Sequence, residues 1–191
     1  MATTVTSFKI LMDQDDWPQA EGIFDNVAAM IAADTALMTA TWAEINAVCD
    51  MSGKVVAPAT GNLALTAALH GNRYVYYDDA DGIITLPAAT GTGYKYTVVI
   101  KTPFTAGKIW CASAADSFLG GINGVDDDSD AAYAWKAETA DDTILGSGTA
   151  TGGKAGDWYE FTDVATGLFL VNGFITQSGG SEATPFSASV S

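Results

Sequence analysis

The chain has 191 residues, with 8 Lys and Arg against 23 Asp and Glu, a formal net charge of −15. Ala, Gly and Thr fill 74 positions, yet apolar residues still make up 48%, enough to form a core and to exclude global disorder. The scattered cations exclude a nucleic-acid-binding stripe and an anionic membrane surface, and no apolar run is long enough for a membrane-spanning helix.

Residues 1–16 are polar and β-branched and read as an N-terminal arm. Such an arm either frays or adds to a neighbour's sheet. Met1–Thr6 has neither a basic region nor an apolar run, which predicts no secretory signal. From 17 to 53 the pattern is helical. Asp16 precedes Trp17-Pro18, and proline suits a first helical turn. Ile23, Val27, Met30 and Ile31 recur at helical spacing. Thr41-Trp42-Ala43-Glu44 fits a capping box, and Gly53 stands where a helix should stop. The expectation is two short helices with a break near 34–39.

After Gly53 the period changes. Lys54–Ala57, Arg73–Tyr77 and Ile83–Leu86 read as strands. Tyr94–Lys101 alternates Tyr94, Tyr96, Val98 and Ile100 with four other residues, the period of a half-buried antiparallel strand. Lys108–Ser113, Ala132–Lys136, Thr143–Leu145, Trp158–Thr162 and Leu168–Thr176 complete the series. Gly-containing pairs punctuate it, among them Asp81-Gly82, Gly120-Gly121, Gly152-Gly153 and Gly179-Gly180. No repeat of fixed period is visible. The pattern predicts a mainly β fold, an antiparallel β-sandwich or jelly-roll-like barrel over 54–191, preceded by a short α-helical N-terminal segment.

The chemical inventory is thin. The single histidine, His70, sits in Leu69-His70-Gly71-Asn72-Arg73 and reads as a turn residue, with no nucleophile elbow to serve. Cys49 and Cys111 read as small buried hydrophobes; with His70 they lack the close ligand pair of a zinc site. Gly91-Thr92-Gly93 and Gly152-Gly153-Lys154 lack the setting of a phosphate loop. Asp126, Asp128 and Asp130 match alternate positions of a calcium loop, but Ala131 and Ala137 stand where Gly and the closing Glu belong. The Asp126–Asp130 loop is therefore read as solvated, with a looser cation site left open. Asp78, Asp79 and Asp81 read as a hairpin turn. Trp110, Trp135, Trp158 and Tyr159 suit either a core or interface, or stacking on sugars. No catalytic, cofactor or metal residues are assigned.

Several phrases carry a resemblance. Thr85-Leu86-Pro87-Ala88-Ala89-Thr90-Gly91-Thr92-Gly93-Tyr94-Lys95-Tyr96-Thr97-Val98-Val99-Ile100 resembles a recurrent segment of tailed-bacteriophage virion proteins. So do Gly156-Asp157-Trp158-Tyr159-Glu160, Asp163-Val164-Ala165-Thr166-Gly167, and the closing Gly180-Ser181-Glu182-Ala183-Thr184-Pro185-Phe186-Ser187-Ala188. Thr41-Trp42-Ala43-Glu44-Ile45-Asn46 is similar to a helix-start phrase in the same proteins. The resemblance spans roughly 41–191. It implies a non-enzymatic structural virion protein of the head decoration or cement type, on the capsid exterior, made in the host bacterial cytoplasm. Its partners would be the major capsid protein and itself, as a homotrimer matching local three-fold positions. Related domains in phage fibres imply an alternative, a head-fibre or tail-associated module that binds a host surface glycan.

Overall fold

The computed structural model describes residues 54–190. The expected arm at 1–16, the helical segment at 17–53 and Cys49 lie outside the described residues. Within them the elements run in this order: β1 (Val55–Ala59), β2 (Leu63–Ala64), α1 (Ala67–His70), β3 (Arg73–Tyr77), β4 (Ile83–Thr85), β5 (Lys95–Ile100) and β6 (Gly107–Trp110). Then come β7 (Ser117–Asp126), β8 (Ala132–Lys136), β9 (Thr143–Gly146), β10 (Trp158–Ala165), β11 (Leu168–Gln177) and β12 (Phe186–Ser187).

The strands form two sheets. The seven-stranded sheet has the order β1-β3-β5-β10-β11-β7-β8, and the five-stranded sheet β12-β9-β6-β4-β2. One core joins them. Tyr77, Tyr96, Phe161 and Phe169 enter from the larger sheet; Ile84, Ile109 and Ile144 enter from the smaller. The fold is mainly β, as expected, with the two-layer arrangement of a sandwich. Alternation explains the burial. Along β5, Tyr96, Val98 and Ile100 are buried while Lys95, Thr97 and Val99 face outward. Phe104 packs so closely over Gly107 and Gly146 that neither position has room for a Cβ.

The strand directions depart from the expected antiparallel pattern. β1, β3 and β5 pair in parallel, as do β2, β4 and β6. From β1 to β6 the chain alternates between sheets, returning to the larger one after 18 and then 22 residues. Parallel neighbours require such crossovers, because a tight turn cannot connect them. The second half supplies the antiparallel hairpins β7–β8 and β10–β11.

Two predicted turns are corrected. Asp78–Gly82 is not a hairpin; it carries the chain from β3 in one sheet to β4 in the other. Gly120-Gly121 lies inside the ten-residue β7, between β11 and β8. Gly120 has φ +111°, open to glycine, and a Cβ there would fall against the Val171 carbonyl. A Cβ on Gly121 would lie 2.6 Å from the Trp135 carbonyl oxygen. These glycines permit close strand approach rather than a turn.

Candidate functional site

The acidic residues are largely committed to holding the backbone. Asp163, on β10 and 2% exposed, accepts from the amides of Thr90 (2.9 Å), Gly91 (2.6 Å) and Thr92 (3.1 Å). Its second oxygen also accepts from the hydroxyls of Thr92 (2.6 Å) and Thr90 (3.3 Å). Burial pushes this carboxyl up, but the hydrogen bonds from Thr92, Gly91 and Thr90 outweigh it and hold it below the usual range. Asp157 accepts from Gly153, Lys154 and Thr176 amides at 2.8, 2.9 and 2.9 Å. There burial wins, and the carboxyl is raised despite those donors. Asp142 accepts from the amides of Ser189 and Val190, pinning the last described residues. Asp79 accepts from Gly61, Asp81 and Gly82 and organises the passage between sheets.

The Asp126–Asp130 loop joins β7 to β8. Asp126 is buried rather than solvated; it accepts from the Asp128 amide and the Ser129 hydroxyl. Asp126, Asp127 and Asp128 bring carboxylate oxygens within 4.8 Å of one another. Asp127 pairs with Lys154, and Asp128 accepts from the Gly179 amide. Each carboxylate thus already has a protein partner.

His70 ends α1. Its Nδ1 accepts from the Thr66 amide at 3.0 Å, which assigns the proton to Nε2. Burial lowers its basicity, the Thr66 bond opposes, and Arg73 lowers it further. The imidazole closes a turn. Cys111 lies in the core, and burial raises its thiol. A buried thiol of this kind is inert.

The aromatic residues divide. Tyr159 is fully buried. Trp110 donates to the Thr85 hydroxyl at 2.8 Å, and Trp135 packs on the core and donates to Gln177 at 2.8 Å. Trp158 instead stands on the outer face of the seven-stranded sheet. The register there sets Tyr76, Val99, Trp158 and Phe174 in one row across β3, β5, β10 and β11. A flanking row carries Val55, Tyr74, Thr97 and Glu160. Beyond that row lie Lys95, Thr162, Leu170 and Leu119. Tyr74, Leu119, Leu170 and Phe174 are 53, 50, 42 and 41% exposed. A shallow pocket of about 360 Å³ opens among Tyr74, Thr97, Val99, Gly156, Trp158 and Glu160.

This apolar face is the feature that sequence reasoning missed. Its signal was present: large apolar residues on both faces of β3 and β11, where a solvated outer face would carry polar ones. Compared with known proteins, the chain matches no family model, no curated protein and no solved structure.

Proposed function

We propose that the chain is a structural protein of a phage virion that decorates the outer surface of the head and cements neighbouring capsid subunits. The resemblance of several ordered phrases to virion proteins is one support. The observation that carries the reading is the use of side chains. The buried carboxylates tie loops to strands, while the outer face of the seven-stranded sheet exposes several large apolar side chains. Such a surface suits contact rather than chemistry. The net charge of −15 adds to this, because a strongly anionic layer is repelled by packaged DNA on the inner face and keeps the protein soluble before assembly. Particles assembled without the chain test it. They should release DNA at lower temperature or milder osmotic shock, and unchanged release overturns the cement role.

One observation favours the second reading, a glycan-binding module. The pocket is lined by the aromatic side chains of Tyr74 and Trp158 together with Thr97 and the Lys95-paired Glu160. Saccharide-dependent change in Trp158 fluorescence would support it, and a silent glycan array would remove it.

A further inference from the structure

We propose that the outer face of the seven-stranded sheet is where one copy of this chain docks on another. The inference is independent of the virion setting. Its first ground is area. Val55, Tyr74, Tyr76, Leu119, Leu170 and Phe174 expose between 37 and 62% of their surface on one face. Together, interspersed with Thr97, Thr162 and the Lys95–Glu160 pair, they leave on the order of 500 Å² of large apolar residue exposed on a single sheet face. Two such faces bury about 1,000 Å², the lower bound of a specific interface, before any polar rim is counted.

Its second ground is charge. The carboxylates of the described residues gather in loops and at strand ends, as in Asp78–Asp81, Asp126–Asp130 and Glu138–Asp142. On the outward positions of the strands just described, Glu160 is the acid, and it is paired with Lys95 at 3.0 Å. Lys136 stands at the far side, opposite Gly121. On a chain of net charge −15, this face is where two copies approach with least repulsion. The row from Tyr76 to Phe174 carries no charge, the Lys95–Glu160 pair lying across the two rows beside it, and aromatic residues of this kind anchor interfaces. A second copy presents the same uncharged apolar row, so self-pairing satisfies both partners at once, as a two-fold contact requires.

The test is the mass of the full chain by size-exclusion chromatography with light scattering, from about 1 to about 100 µM. A whole multiple of 19.8 kDa is expected at the upper end. Phe174→Asp and Leu170→Asp each place a charge on the face and should weaken association about 100-fold or more. Leu69→Asp, on α1, should leave the mass unchanged. Oxidative footprinting of the unmodified chain keeps the test independent of variant folding: Trp158 and Phe174 should be labelled at low concentration and protected at high. A chain that remains at 19.8 kDa, with equal labelling at both concentrations, overturns the proposal. So does an oligomer that survives both folded Asp variants.

Discussion

Removing the Asp163 carboxylate should loosen the loop that carries Thr90–Thr92. Five donors converge on this side chain, three of them backbone amides. A hydrogen bond to a charged group contributes about 1.5–3 kcal/mol when its donor has no alternative. Here Thr90, Gly91 and Thr92 are themselves exposed, so water recovers part of each bond in a variant. A total near 3 kcal/mol for Asp163→Ala, and about 2 kcal/mol for Asp163→Asn, follows from that discount. For a folded unit of this size each kcal/mol moves the melting temperature by about 3 °C, so Asp163→Ala should melt about 9 °C lower. Differential scanning calorimetry at pH 7 measures it. The pH dependence is a second, independent reading. The folded carboxyl is held below its usual range, so its stabilisation is complete above about pH 4. It is lost as pH falls through the lower, folded value, and the gap between wild type and Asp163→Asn should narrow there. A loss under about 0.5 kcal/mol at pH 7, or a gap that persists unchanged into strong acid, would refute the role assigned to Asp163.

Other expectations follow from the same packing. The Tyr159 hydroxyl is buried with no protein partner, so Tyr159→Phe should stabilise the fold by about 1 kcal/mol in urea titration; a comparable loss would contradict this. Gly121→Ala forces a Cβ to 2.6 Å from the Trp135 carbonyl oxygen and should cost about 2 kcal/mol, with faster hydrogen exchange at the β7–β8 pairing. Burial keeps the His70 imidazole neutral below its usual range, so unfolding takes up a proton as pH falls under about 6.5. Stability should therefore decline with falling pH in that window in the wild type, and the decline should flatten in His70→Gln. Cys111 in the folded chain should resist alkylation until denaturant is added, as peptide mapping by mass spectrometry would record.

Much of the β architecture was legible because period-two alternation is a strong local signal. Arg73–Tyr77 and Ala132–Lys136 were bounded as they stand. β7 escaped because Gly120-Gly121 mimics a turn; its glycines answer to the carbonyls of Val171 and Trp135, which lie 51 and 14 residues away in sequence. The parallel half was hidden for a related reason. Alternation sets which face is buried and is blind to strand direction. Its coils differ in length, so they leave no fixed period. The acidic loops were visible as loops, but not the inward turn of Asp126 or Asp163, since a buried carboxylate and a solvated one read alike. The outer apolar face needed the register: Tyr76, Val99, Trp158 and Phe174 are far apart in sequence and meet only across four strands.

The proposed role of this chain is surface contact on the outside of a phage head. A three-dimensional image reconstruction of the particle, with the chain located by fitting residues 54–190, tests it most directly. Density for the β domain should lie over the junctions between capsid subunits, in clustered copies. Density inside the shell, density confined to the tail, or particles without the chain would contradict it.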